Sequence, residues 1–379
     1  MSGTTTLLAS LVAIDSVNPS LVAGAAGEKE IARFVLSWLQ DRGIPTQAYE
    51  AEPGRPSVVA RVPGKGGGRS LMLYAHMDTV GVSGMPGPFD PRIEDGRMYG
   101  RGAYDMKAGL AACLLALAEI RRGELDGDVL LAAVADEEHA SLGIQEVLQH
   151  VRADAAIVTE PTSLQVCVAH KGFSWHEIST CGRAAHGSQP QFGVDAIAHM
   201  GRVLNRLEAL QEELRKRPPH GLLGHGSLHA SLIAGGQELS SYPAMCTLQL
   251  ERRTLPSEDA ASVEQEIEGL LNALAEEDPR FQARHRTTLV RAPFCVSEDE
   301  VIVRAVRSQA EIVLGATPVT IGASFWMDAA FLAGAGIPTV AFGPHGSGAH
   351  AIDEWVDRNS VDQCREILVR VIRSFTGTC

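Results

Sequence analysis

VLLAAVADEE, residues 129–138, carries the reading of the fold. Its first seven residues are apolar throughout, as in a strand buried on both faces of a sheet. Asp136, Glu137 and Glu138 follow directly on its carboxyl end. The same arrangement recurs along the chain. LMLYA (71–75) runs into His76, Met77 and Asp78, AAIVT (155–159) ends at Glu160, and PTVAFG (338–343) leads within a few residues to His350. Between these runs the apolar residues follow helical spacing, over 28–42 up to Gly43, 106–121, 141–151, 301–314, 327–335 and from 360 onward. Strands alternating with helices imply an α/β fold, a parallel or mixed sheet with helices on both faces. Metal-binding side chains then line the carboxyl edge of the sheet, where ligand sites of open α/β sheets lie.

After about residue 172 the pattern changes. HEISTCGRAAHG, SLHASLIAGG and AMCTLQLERRTL alternate apolar and polar residues, as half-exposed antiparallel strands do. Amphipathic helices are expected between and after them, over 193–216 and 257–276. This is a β-α-β-β-α-β insertion, an α+β ferredoxin-like unit with one sheet face covered by two helices. We therefore expect a catalytic domain built from residues 1–172 and 291–379, interrupted by a second domain over 173–290.

A chain of 379 residues suits two domains. Its net charge of −13 argues against a nucleic-acid or anionic-membrane partner, both of which call for a basic surface. The seven cysteines, at 113, 167, 181, 246, 295, 364 and 379, form no CxxC pair, which points away from disulfides and thiolate zinc and toward a reducing cytoplasm. The apolar run Leu7 to Ile14 reads as a first helix and not as a signal peptide, and no stretch of about 18 apolar residues could span a membrane.

Two histidines with several carboxylates, and no thiolate, suit a catalytic zinc, cobalt or manganese centre better than a structural zinc. A two-metal centre needs a bridging carboxylate and one histidine on each ion. Asp105, in the glycine-rich turn GRGAYDMK (100–107) that opens a helix, is the natural bridge. Asp78, two residues beyond His76 on the same side of an extended segment, is placed to accept the second ring N–H of that imidazole. The adjacent Glu137 and Glu138 offer two roles, a ligand and a base for a water that the metals acidify.

HMDTV (76–80), GRGAYDMKAG (100–109), ADEEHASLG (135–143), TEPT (159–162), GRAAHGSQP (182–190), GVDAI (193–197), ERRTLP (251–256) and GAHAIDEWV (348–356) together resemble the M20 metallopeptidase family. That family includes acetylornithine deacetylase, succinyl-diaminopimelate desuccinylase, aminoacylase-1 and carboxypeptidase G2. The resemblance is collinear over nearly the whole chain. It implies two divalent ions, zinc first, with cobalt or manganese as alternatives. His76 and Glu160 would hold one, Glu138 and His350 the other, and Asp105 would bridge. It further implies Glu137 as general base, Asp78 as orienter of His76, and His186 as a lid histidine that stabilises the oxyanion across a homodimer formed through the inserted domain. Arg253, with Arg252 beside it as the alternative, would grip the carboxylate of an N-acyl amino acid or dipeptide.

The chain departs from the family pattern in three places. Ser240-Ser241-Tyr242-Pro243 stands where the family usually carries an Asn before Val-Pro. Phe325-Trp326-Met327 precedes Asp328 where Thr or Ser is frequent in the desuccinylase branch, which disfavours a succinyl-diaminopimelate substrate. His345 competes with His350 as ligand, although the AHAIDEWV context favours His350. The expected activity is hydrolysis of an N-acyl amino acid amide. The alternatives are a dipeptidase or carboxypeptidase on the same site, and a non-catalytic metal-binding homologue.

Overall fold

The computed structural model describes residues 3–377, so Cys379 lies outside it. The chain divides into two compact units. The first comprises residues 3–168, 296–321 and 327–377, and the second residues 169–295 and 322–326.

In the first unit, strands run side by side in the order Thr46–Glu50, Pro56–Val62, Val129–Val134, Leu71–His76, Ala155–Val158, Thr339–Ala341 and the 166–168 part of the strand Val166–His170. Pairing within the central four, from Val129–Val134 to Thr339–Ala341, is parallel, while the flanking pairs are antiparallel. The central strands are buried along their length, which is why their sequences read as unbroken apolar runs and not as alternations. Helices Gly3–Val12, Lys107–Ala118, Val301–Leu314 and Arg358–Thr376 pack together as one group, and Lys29–Gln40, Leu142–His150 and Ala329–Gly334 pack on the sheet as another.

A small antiparallel sheet escapes the sequence reading. Gly346–Ser347 pairs with Trp355–Asp357, which pairs with Arg97–Tyr99, which pairs with Arg92–Glu94. These strands are two or three residues long, too short for any periodicity to register. The edge strand Thr46–Glu50 was also not expected, since its TQAYE carries one aromatic residue among polar ones.

The second unit forms a four-stranded antiparallel sheet in the order Ser227–Gly235, Met245–Thr254, Gly172–Cys181, Gln282–Arg291, with helices Ala196–Lys216 and Ala260–Glu277. This is the strand order of a ferredoxin-like β-α-β-β-α-β unit. Burial alternates along Gly172–Cys181 and Gln282–Arg291, and the inward residues Ile178, Leu248 and Leu250 pack with Met200, Val203, Val263 and Ile267 of the two helices. Both helices start on an aspartate cap. Asp195 accepts the Ala198 N–H, and Asp259 forms a reciprocal box with Ser262, each cap contributing about 1 kcal/mol. Residues 322–326, expected with the flanking segments, group here instead. The Trp326 Nε1–H donates to the Ala292 carbonyl at 3.0 Å, and its ring stands edge-on to Phe173. Among the described residues no helix is long and apolar enough to cross a membrane.

Candidate active site

The carboxyl ends of the central strands converge on one cluster. His76 closes its strand with a ring 1 % exposed, and its Nε2 lies 3.3 Å from Asp105 Oδ1 and 3.6 Å from Glu160 Oε1. His350 Nε2 lies 3.4 Å from Asp105 Oδ2 and 3.2 Å from Glu138 Oε2. The donors thus fall into two sets, each with one imidazole nitrogen, one glutamate oxygen and one oxygen of Asp105. Atoms bound at 2.0–2.2 Å to one tetrahedral ion stand about 3.3–3.6 Å apart, close to the separation of each histidine nitrogen from its two carboxylate oxygens. Among the described residues, His76 with Glu137 and Glu160, and His76 with Asp105 and Glu138, each bring three candidate ligand atoms within 4.8 Å of one another. Glu138 Oε1 and Glu160 Oε1 are buried without a hydrogen-bond partner, a costly state that a cation would relieve. Glu137 Oε2 stands 4.0 Å from His76 Nε2.

The His76 Nδ1–H donates to the main-chain carbonyl of Asp78 at 3.0 Å. A carbonyl can only accept, so this contact places a proton on Nδ1 and, in the neutral ring that a cation would bind, leaves the Nε2 lone pair toward the cluster. The Asp78 carboxylate, expected as that acceptor, lies 3.6 Å from Nδ1. Its closer partners are the N–H groups of Glu137 and Glu138, each at 3.1 Å, and Asn18 Nδ2 at 2.8 Å. The carboxylate therefore anchors the turn that carries both glutamates as well as facing the histidine.

Behind this turn lies a buried network that sequence reasoning did not find. Asp136 adopts the left-handed conformation with φ of 67°, and its carboxylate accepts from Arg55, Asn18 and the Ala140 N–H. Arg55 also holds Glu28 through two contacts at 2.5 and 2.6 Å. On another side the Tyr74 hydroxyl donates to Asp328, whose carboxyl burial pushes up to about 6. His345, the rival ligand, bonds Ser163 Oγ through Nδ1 and packs against Trp355, leaving His350 as the histidine of the cluster.

His186 and Arg253 stand on the second unit. His186 is exposed, with Nδ1 2.7 Å from Ser188 Oγ, and it pairs as a bridge with Ser241 in the stretch where the usual Asn is replaced. The Arg253 guanidinium lies 5.0 Å over the Phe173 ring, with its Nε–H donating to Glu251. Arg252 is fully buried and paired with Glu258, which leaves Arg253 as the accessible one of the two.

The electrostatics of the cluster are those of crowded acids. Burial, then the charge of Glu160, pushes the Glu137 carboxyl well above its ordinary range. Burial and the charges of Asp105 and Glu138 do the same to Glu160, and Glu138 is also raised, chiefly by burial. Burial opposes protonation of His76, but Asp105, Asp78 and Glu160 outweigh it and raise its pKa well above the usual value. Asp105 and Glu138 raise His350 to about 10. Asp105 moves the other way, because the two imidazoles overcome its burial.

These shifts set the sign of a pH effect. A group whose folded pKa exceeds its unfolded one stabilises fully below the unfolded value and loses that contribution as pH rises through the folded value. The three glutamates enter that window above their ordinary 4.5 and the histidines above 6.5. Protein stripped of divalent ions should therefore unfold at falling temperature as pH rises from about 6 to about 9, and the Tm gained on adding a divalent cation should widen over the same range. A flat or rising Tm for the chelator-treated protein would contradict this.

The model of peptidase family M20/M25/M40 matches residues 72–374. An acetylornithine deacetylase of Myxococcus xanthus is 30% identical to the chain over 396 residues, covering 98% of it and 97% of the relative. Among solved structures, aminopeptidase PepT from Bacillus cereus superposes with a TM-score of 0.81 at 19% identity, covering 99% of this chain and 98% of that one. The Bacillus subtilis YXEP protein, described as a dinuclear metal binding peptidase from the M20 family, gives 0.76 at 16% identity over 99% and 98%.

Proposed function

Because the chain belongs to peptidase family M20/M25/M40, we propose that it hydrolyses the amide bond of an N-acyl amino acid, as a deacetylase does. The observation that carries this reading is the pair of donor sets sharing Asp105. His76, Asp105 and Glu160 would hold one divalent ion, and His350, Asp105 and Glu138 the other. The mixed imidazole and carboxylate donors suit zinc first, then cobalt or manganese. When bound, the ions would polarise the amide carbonyl and acidify a water.

Glu137 groups with His76 and Glu160, but its oxygen stands 4.0 Å from His76 Nε2, farther than the assigned donors, and in this reading it is the base. Its carboxylate takes one proton from the attacking water and returns it to the leaving amine nitrogen as the C–N bond breaks. The water oxygen ends in the new carboxylic acid, and the amine leaves as the free amino acid. Asp78 supports this role by fixing the Glu137 and Glu138 N–H groups. Arg253 would grip the carboxylate of the substrate. His186 would donate to the tetrahedral oxyanion, reaching the partner subunit of a homodimer. Support for that dimer comes from the edge strand Ser227–Gly235, whose sequence SLHASLIAG carries no acidic or basic residue apart from His229 and exposes Leu232 and Ile233. The family description as peptidases favours one second reading, a dipeptide in place of the N-acyl amino acid.

A panel of N-acetyl amino acids, N-succinyl amino acids and dipeptides, each with and without chelator, tests the proposal. Chelator-sensitive release of amino acid from the N-acyl substrates is expected. Cleavage of dipeptides alone would move the conclusion to the second reading, and no chelator-sensitive hydrolysis of any member would overturn both. In the same assay, His186→Ala mixed with Glu137→Gln should regain activity that neither has alone. Failure of the mixture to recover would remove the cross-subunit role.

A further inference from the structure

Glu354 is a fully buried carboxylate four residues past His350. It accepts four hydrogen bonds from the segment that carries Asp105. Arg101 Nη1 donates at 2.6 Å, the Gly102 N–H at 3.0 Å, the Tyr104 N–H at 2.8 Å and the Asp105 N–H at 3.0 Å. Arg101 also donates to the Ala351 carbonyl at 3.0 Å, tying the same segment to the stretch just past His350.

The small sheet explains how these residues meet. Gly346–Ser347 and Trp355–Asp357 form a hairpin with His350 in its loop, and Trp355 pairs with Tyr99, the residue before the Gly100–Asp105 turn. The hairpin can fold back this closely because Gly348 takes a φ of 82°, and a Cβ there would stand 2.9 Å from the Glu354 Cα. One hairpin thus presents a histidine to the cluster from its loop and a carboxylate to the backbone of Asp105 from its base.

We propose that Glu354 is a positioning residue for the metal centre. It holds the 101–105 backbone so that the two oxygens of Asp105 point one at each histidine. This rests on the reading of Asp105 as the shared ligand. The physical case is that Asp105 must divide its oxygens between His76 Nε2 and His350 Nε2 within a few tenths of an ångström, at 3.3 and 3.4 Å. A loop has no regular ladder to hold it to that tolerance. Converging N–H groups on one buried carboxylate provide the constraint, because moving the loop would leave a buried charge short of donors. Outer partners that orient metal ligands typically change metal affinity by about 10–100-fold when altered.

The test is titration of the metal-free protein with Co²⁺, reading both the dissociation constant and the visible d–d spectrum. Glu354→Gln should weaken Co²⁺ binding by about 10–100-fold and alter the spectrum. Glu354→Asp, which keeps the charge but withdraws it by one methylene, should lie between Gln and wild type and serves if the Gln variant does not fold. A cavity variant remote from the hairpin, Leu39→Ala in the helix Lys29–Gln40, controls for lost stability and should bind Co²⁺ as wild type does. Wild-type affinity and spectrum in both Glu354 variants would overturn the proposal, as would the Leu39→Ala control showing the same loss. Asp105→Asn separates the two layers. If it binds Co²⁺ undiminished, the ligand reading fails and this inference with it. If it loses affinity while the Glu354 variants keep theirs, only the role of Glu354 fails.

Discussion

Glu137→Gln should retain its two metal ions and lose about 10²–10⁴-fold in kcat, the range general acid–base catalysis supplies. Glutamine keeps the shape of the side chain and leaves the Glu137 and Glu138 N–H contacts to Asp78 in place, so the turn is not disturbed. What it removes is the proposed ability to take a proton from water and deliver it to the amine. KM should change little, because the residue has no proposed part in holding substrate. Metal content and steady-state kinetics on the same preparation decide the matter. A kcat within tenfold of wild type would sink the role of base, and loss of metal together with activity would make Glu137 a ligand instead.

Arg55→Met should cost about 3–5 kcal/mol of stability, the usual consequence of removing one partner from a buried ion pair. Arg55 is 7 % exposed, and it faces Glu28 and Asp136, both fully buried. Methionine fills the stem of the side chain but leaves two carboxylates without their guanidinium. Glu28 is already pushed above its ordinary pKa by burial, and loss of Arg55 removes what pulls it down. It would therefore hold its proton to higher pH in the folded state. By the same linkage, the cost should be smaller near pH 5 than near about pH 8. Denaturant unfolding of the variant at the two pH values measures this. Adding Glu28→Gln should return part of the loss, because one of the two stranded charges is gone. A cost under about 1 kcal/mol at both pH values would show that the network is not held by its charges. Since Asp136 shapes the turn leading to Glu137 and Glu138 and accepts from Arg55 at 2.8 Å, activity should fall as well.

The two predictions differ in where their evidence was visible. Glu137 lies directly beyond a strand that reads as an apolar run, so its place at the sheet edge follows from local pattern. Arg55 follows the polar turn AEPG, and nothing nearby distinguishes it from a surface arginine. Its partner Asp136 is 81 residues away. Glu354 was written within a matching motif, GAHAIDEWV, yet its contact with the Asp105 N–H spans 249 residues. Asp78 was expected at the His76 ring by its two-residue offset. The fold instead gives its carboxylate the Asn18 side chain and the Glu137 and Glu138 N–H groups as donors, the last two across the gap between two neighbouring parallel strands.

The α/β alternation, the antiparallel insertion and the donor types at the strand ends are legible in the chain alone. These are statements about side-chain period and polarity, which each segment carries within a few residues. Which oxygen of Asp105 meets which histidine, that His345 stands aside, and what holds the loops of Asp105 and His350 in place follow from the folded arrangement. Those outcomes depend on distances of about 3 Å between residues remote in the chain, and burial makes them matter, since a polar group away from water must find its partner inside the fold.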